Sequence, residues 1–431
     1  MKGEAAKMGK YEADYDWLME TMAGMEIVDT HEHLPAEKDR IAQKPDFSLM
    51  FSHYCRGDLL AAGMPRAAHD AFFGAKASVE EKWRSFEPWY RQIEDGSYCR
   101  AAQIAMDKFY GLSRLSGLAD AEALTKAIRE ASKPGLYRRV LKDTCRIRVA
   151  MNFGALDDDT EFFAPVLFVT HYAEANKPTI QGLEDRLNVT CGNLDGYVTA
   201  VAEELRRFRQ KGMKGLKFHF AYMRDLDFAP RTHAEAEAVF LRVMDEGYGW
   251  RGVSLGYEET RPLQDYMVHR MTEMAIEMDV PVVFHSSLQA DTGHRPDDAR
   301  PTPLWSLAHR YRRAKIIILH SGLPWMEDAA LLAKQYPNVY LDMGWDHLMS
   351  PEISRRALMS WVDLVPMNKI FGFGGDYSVV EKVYGHLVLA RENIASALAA
   401  KMQGGMSRDR AAAWLQAMLF ENPRRVYQLE V

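Results

Sequence analysis

Ile27-Val28-Asp29-Thr30-His31-Glu32-His33-Leu34 is the stretch whose reading decides the fold. It begins apolar and ends in two histidines. Read as a strand, it sets His31 and His33 two residues apart, so both imidazoles point to one face. Two imidazoles at a strand end can share a divalent cation, but such an ion wants three or four protein ligands, often His and carboxylate. The missing ligands must come from elsewhere in the chain. The sequence offers them repeatedly at one kind of place, the C-terminal end of an apolar run.

Those runs become regular from Cys145 onward. Strands are predicted over 147–152, 166–170, 215–220, 281–285, 315–320, 339–343 and 369–373, and the first over 26–30. Amphipathic stretches such as 198–211, 263–278 and 303–313 separate them, and 198–211 reads as a solvated helix face. Buried parallel strands read as near-continuous apolar runs of this kind. Strands alternating with helices in this number predict an α/β fold, a (β/α)8 TIM barrel. A doubly wound sheet would want a glycine-rich phosphate turn after the first strand, where His-Glu-His stands.

Upstream, a short helix is expected over 15–23. Residues 36–142 are too many for a loop. They are rich in helix formers and in aromatics (Trp83, Phe86, Trp89, Tyr90, Phe109, Tyr110) and read as a helical insertion after strand 1. The aromatics are expected to form its core rather than a binding surface. Gly63-Met64-Pro65 and Lys133-Pro134-Gly135 separate its helices. The tail from 379 to 431 reads as a helical C-terminal extension, broken at Gly404-Gly405 and closed at Asn422-Pro423. Residues 1–431 are thus expected to form a single barrel domain.

Composition narrows the class. With 431 residues, 47% of them hydrophobic, the chain can build a sizeable core. The net charge of −6 and the lack of a basic stripe argue against a nucleic-acid partner. Cys55, Cys99, Cys145 and Cys191 are scattered without a Cys-x-x-Cys, which suits free thiols in a reducing compartment. No apolar run approaches the length of a membrane span, and the polar N-terminus carries no signal core. The expectation is a cytoplasmic enzyme acting on a small-molecule substrate, with no membrane partner and with homo-oligomerisation left open.

Listing the polar residues at strand ends gives the candidate site. Strand 1 gives His31 and His33, strand 4 gives Lys217, strand 5 gives His285, strand 6 gives His320, and strand 8 is followed by Asp376. In a parallel barrel these ends open onto one face, where active sites lie. Buried imidazoles and carboxylates there need partners, and a metal supplies them. Lys217 could instead be an interior charge paired with a carboxylate such as Asp29. Asp29 shares strand parity with His31 and His33 and could orient a ligand from below, whereas Glu32 has the opposite parity and reads as a residue supporting the ligands from behind or as a surface residue. Tyr54, Arg56, Tyr222, Arg224 and Trp345 lie in segments expected to reach the open face, and an arginine suits a carboxylate. His69, His171, His233, His269, His294, His309 and His386 read as structural or surface histidines.

This ordered set resembles the amidohydrolase superfamily of metal-dependent (β/α)8 enzymes, over roughly residues 25–35 and 145–380. The resemblance implies that His31, His33, His285 and Asp376 are metal ligands and that Asp376 is also the base that activates bound water. It implies for His320 either a ligand role or a catalytic acid/base role. Lys217 stands where two-metal members carry a carbamylated lysine. The implied cofactor is one or two divalent ions, zinc first and manganese as the alternative. The implied reaction is hydrolysis of an amide, ester or lactone of a small polar or acidic molecule.

The insertion resembles that of uronate isomerases: Ser52-His53-Tyr54-Cys55-Arg56 with Asp58-Leu59 and Gly63 is similar to their segment bearing a substrate-facing tyrosine. That likeness implies an aldose–ketose isomerase as the alternative, and a metal-dependent decarboxylase is a further one. An inactive metal-binding scaffold is the non-enzymatic alternative. Uronate isomerases carry an arginine two residues after the strand-8 aspartate, and here that position is Ser378.

Overall fold

The computed structural model describes residues 2–154, 159–245 and 255–430, the first six of them by backbone alone. Eight strands lie side by side in sequence order: β1 Ile27–Glu32, β2 Ile147–Asn152, β3 Phe163–Phe168, β4 Gly215–Phe218, β5 Val282–His285, β6 Ile316–Leu319, β7 Val339–Asp342 and β8 Ile370–Phe371. Every neighbouring pair is parallel. The chain stays extended beyond β8. Thr30 N donates to Phe373 O (3.1 Å), Asp376 N to His31 O (2.7 Å) and His33 N to Tyr377 O (3.0 Å), which joins this segment to β1 and completes the (β/α)8 barrel.

The strands are buried on both faces, which is why they read as unbroken apolar runs. Val28, Val166, Val283, Ile317, Leu319 and Phe371 share one cluster in the barrel interior. The alternate residues Leu216, Val282, Phe284, Ile316 and Ile318 pack outward in the main core with the surrounding helices. The period of two thus sorts each strand into an inner and an outer row.

Several boundaries differ from expectation, among them the ends of β4 and β8, which stop at Phe218 and Phe371 rather than at 220 and 373. Strand β3 starts at Phe163 because Ala150 N already bonds Phe162 O, and Thr170 opens a helix instead of ending the strand. The first helix spans Lys2–Gly24, well beyond 15–23. Asn422-Pro423 opens the last helix, Asn422–Val426, rather than closing the chain. A first-turn proline has no amide to leave unpaired, and its φ is already helical.

The insertion carries helices Glu37–Ala42, Tyr54–Ala61, Arg66–Phe73, Val79–Ile93, Ser97–Tyr110 and Leu118–Ala131. A core separate from the barrel's contains Phe47, Phe51, Phe72, Trp83, Phe86 and Tyr90, with Phe72 and Phe86 stacked at 4.5 Å. The aromatics are core, as their pattern predicts. Ser78 and Glu81 form a capping box that starts Val79–Ile93.

Several contacts fasten the insertion to the long helix Val380–Gln403, among them the pair of Arg100 with Glu392 (2.8 Å). Arg40 pairs with Glu381 (2.6 Å), Tyr110 donates to the same carboxylate (2.7 Å), and Lys382 Nζ donates to Ser52 O (2.6 Å). The four cysteines are free and buried. No helix among the described residues is long and apolar enough to cross a membrane.

Candidate metal centre

The end of β1 and the loop after β8 bring three donors together. His31 Nε2 and His33 Nε2 lie 3.0 Å apart, and Asp376 Oδ1 is 3.3 Å from the first and 3.2 Å from the second. Ligands at about 2.0–2.1 Å on a tetrahedral ion stand roughly 3.3 Å from one another, so the triangle has the edges of a tetrahedral face. Two nitrogens and a carboxylate oxygen are also a donor set that a divalent ion takes. The residues present therefore fit such an ion.

The loop is drawn against β1 by its own glycines. A Cβ on Gly374 would stand 2.8 Å from Thr30 Oγ1 and 3.0 Å from the Cβ of His31, so only glycine lets the two backbones close to this distance. Asp29 Oδ1 accepts from His31 N and Gly375 N, both at 3.1 Å. Glu32 Oε2 accepts from Tyr377 N at 2.9 Å and is fully buried, so of its two expected places it takes the one behind the ligands, next to Asp376, and not the surface. The carboxylates whose charge acts on Lys217 are Asp376 and Asp342, so the alternative of a Lys217–Asp29 pair falls.

The protonation states suit a cation. Burial alone would raise Asp376, but the neighbouring His31 and the hydrogen bonds from His31 and His33 outweigh it, and the carboxyl is held well below its usual range. Burial pushes His31 down to about 3 and both His285 and His320 well below the usual imidazole value. Neutral imidazoles around an ionised carboxylate are the state in which these side chains act as ligands.

His320 donates from Nδ1 to Gly344 O (2.7 Å), which leaves Nε2 as the acceptor, 3.6 Å from Asp376 Oδ2. His285 departs from the expected set of four ligands. Its ring lies 4.7 Å from that of His320, but its Nε2 donates to Leu288 O (3.1 Å), and it is not a corner of the triangle. Lys217 is buried, with Nζ 5.3 Å from the centre of the Phe153 ring and no carboxylate within ion-pair distance among the described residues. Burial lowers it to about 7, against the pull of Asp376 and Asp342.

A cavity of about 430 Å³ opens over this group, lined also by His53, Tyr54, Phe168, His219, Tyr222, Ala290 and Trp345. Tyr54 stacks on Trp345 at 4.5 Å and so brings the insertion to the barrel mouth. His53, His320, Trp345 and Asp376 hold left-handed φ values of 61°, 63°, 70° and 54°. Non-glycine residues persist there only where surrounding contacts over-determine them, as at functional sites.

Two expected substrate contacts are elsewhere. Arg56 is exposed and stacks on Phe73 at 4.8 Å, because its position on Tyr54–Ala61 faces away from the cavity. Arg224 is buried against Asp265 (2.8 Å) and Gln264 (3.0 Å), where it is a structural ion pair. No arginine lines the cavity among the described residues. The sequence reading missed His53 and His219 as lining residues. His219 has the strand parity of Lys217 and was legible on that ground. His53 owes its place to one unusual backbone angle, which no spacing reveals.

Comparison with known proteins agrees with this architecture. The uronate isomerase of Thermotoga maritima superposes with a TM-score of 0.79 at 12% identity, covering 96% of this chain and 97% of that one. The glucuronate isomerase of Caulobacter crescentus gives 0.76 at 15%, covering 98% and 95%. A candidate metal-dependent hydrolase from Lactobacillus casei gives 0.66 at 18%, covering 95% and 97%. At these identities the likeness is one of fold. Protein fluG of Emericella nidulans is 26% identical over 227 residues, half of this chain and a quarter of that protein's length. The family model described as amidohydrolase matches residues 28–429, from the strand that carries His31 and His33 to the last helices. With that span and this barrel-mouth site, the chain belongs to the amidohydrolase family.

Proposed function

We propose that the protein is a metal-dependent hydrolase that opens an amide, ester or lactone bond in a small polar or acidic molecule. The observation that carries this reading is the triangle of His31, His33 and Asp376 at the floor of the cavity. Zinc is the proposed ion, held by these three side chains, since its tetrahedral N/O preference suits their spacing. When bound there, a divalent ion lowers the pKa of water toward about 7 and polarises a carbonyl.

The chain's own residues supply the proton path. Asp376 is ionised and can take a proton at Oδ2, and His320 Nε2 is the next acceptor, 3.6 Å away. Lys217 faces the same space and can meet an anionic group of the substrate. Trp345, Tyr54, Tyr222 and Phe168 give the chamber apolar walls suited to a small organic molecule. Four free thiols support a reducing, cytoplasmic setting.

An isomerase is the second reading, favoured by the fold of the Thermotoga and Caulobacter enzymes. Against it stand Ser378, where uronate isomerases carry arginine, and a cavity to which the described residues contribute no guanidinium for a sugar acid's carboxylate. The test is turnover of small amides, lactones and uronates by the zinc-loaded protein in ¹⁸O-water. Hydrolysis places the label in the product carboxylate. Hydrogen exchange at a substrate carbon with no label in the carboxylate would overturn the hydrolase in favour of the isomerase.

A further inference from the structure

Asp342 ends β7 beneath the site and is fully buried. Its Oδ1 accepts from the Thr30 hydroxyl and from Gly344 N, each at 2.8 Å. The carbonyl of Gly344 takes the Nδ1 proton of His320 at 2.7 Å. The main-chain oxygen of Asp342 accepts from Ser321 Oγ at 3.3 Å. His320 and Ser321 both hold left-handed backbone, at φ 63° and 56°. A strained pair of this kind needs outside contacts to keep one conformation, and here those contacts converge on one carboxylate and its backbone.

We infer that Asp342 is a positioning residue: it fixes the Gly344 turn, the turn's carbonyl fixes the tautomer and plane of His320, and so Nε2 of His320 presents its lone pair to Asp376. Thr30 ties the same carboxylate to β1, one residue before His31. Asp342 thus sets two walls of the site against each other without touching the cavity. The space for it is prepared on the other side, since a Cβ on Gly344 would meet Asp342 Oδ1 at 3.2 Å and the His31 Cβ at 3.5 Å. Asp342 Oδ2 makes no hydrogen bond among the described residues, so the work falls on the single oxygen Oδ1. Partners that orient reacting side chains through hydrogen bonds commonly change activity by about tenfold to a hundredfold. The inference rests on the proposed role of His320 for its effect on turnover, but not for its effect on the imidazole.

The test uses the full chain labelled with nitrogen-15 histidine. The hydrogen-bonded Nδ1 proton of His320 is identified by its loss in His320→Gln. It is expected in the wild type and in Asp342→Asn, which keeps an acceptor oxygen, and to be lost to solvent exchange in Asp342→Ala. Where Asp342→Ala does not fold, Asp342→Ser, whose hydroxyl is too short to span both donors, takes its place with the same expectation. A folded Ala or Ser variant that retains the signal overturns the inference, and so does its loss in a folded Asn variant. None of these readouts requires turnover, so failure of the hydrolase reading leaves them intact. If that reading holds, the Ala or Ser variant should lose kcat about tenfold or more while KM stays within about twofold, with Asn restoring most of it.

Discussion

Asp376 Oδ1 stands 3.2 Å from His33 Nε2, although the two residues lie at opposite ends of the barrel's sequence. The contact exists because the segment after β8 hydrogen-bonds to β1 and closes the ring: Asp376 N meets His31 O, and His33 N meets Tyr377 O. Barrel closure and assembly of the donor triangle are therefore one event. Whatever loosens the β1–β8 seam should weaken metal binding before it unfolds the helices outside.

Metal removal gives the first prediction. The purified protein should carry close to one divalent ion per chain, and chelation should lower its thermal midpoint, because an ion bound only by the folded state stabilises it. His33→Ala should lower metal affinity at least about tenfold, and Arg56→Ala should leave it unchanged. Elemental analysis and calorimetry measure both. Equal metal content in the wild type and His33→Ala would remove His33 from the centre.

Asp376→Asn separates binding from chemistry. The amide keeps an oxygen near His31 and His33, so the variant should fold and retain part of its metal. It can no longer take a proton, and turnover should fall about a hundredfold or more. Activity within a few-fold of wild type would assign the base elsewhere.

Gly385 tests how the insertion is held. A Cβ there would lie 1.9 Å from the backbone oxygen of Ala101, where Val380–Gln403 crosses Ser97–Tyr110. Backbone cannot step aside as a flexible side chain can. Gly385→Ala should cost about 1–3 kcal/mol by overpacking, read by denaturant unfolding. Because Tyr54 rides on the same insertion, the variant should also bind any cavity ligand more weakly. A neutral effect on both would show that the two helices separate freely.

Asp58, on the helix Tyr54–Ala61, gives a pH dependence that involves none of the three metal-site side chains. Burial raises its carboxyl to about 6, against an ordinary value of 3.8. The folded state therefore binds this proton more tightly than the unfolded state does. The group's contribution to stability is present at low pH and is lost as pH rises from about 4 through about 6. Asp58→Asn should gain stability over wild type at pH 7.5, by no more than about 1 kcal/mol because solvent screens a partly exposed group, and the gap should shrink at pH 4.5. A gap that does not change with pH would sink this assignment.

The local pattern of the sequence determined much of this protein. Apolar runs of four to six residues, such as Ile316–Leu319, specify strands buried on both faces, and their alternation with helices specifies the barrel. The same periodicity located His31, His33, Lys217, His285, His320 and Asp376 at one mouth, because in a parallel barrel a strand's C-terminal end has only one place to be. It also read the insertion's aromatics as core. What it could not decide is where a side chain points once it has left a strand. Arg56 and Arg224 were legible as charges near the mouth, but Arg56 lies about half a helical turn from Tyr54 and so faces solvent, and Asp265 holds Arg224 below the surface. His285 turns its Nε2 to the carbonyl of Leu288, a partner three residues away that only the loop's path supplies. His53 enters the cavity through a left-handed φ. Such choices depend on torsion angles and long-range contacts worth a few kcal/mol each, and these are settled by packing, which residue order alone does not encode in any short window.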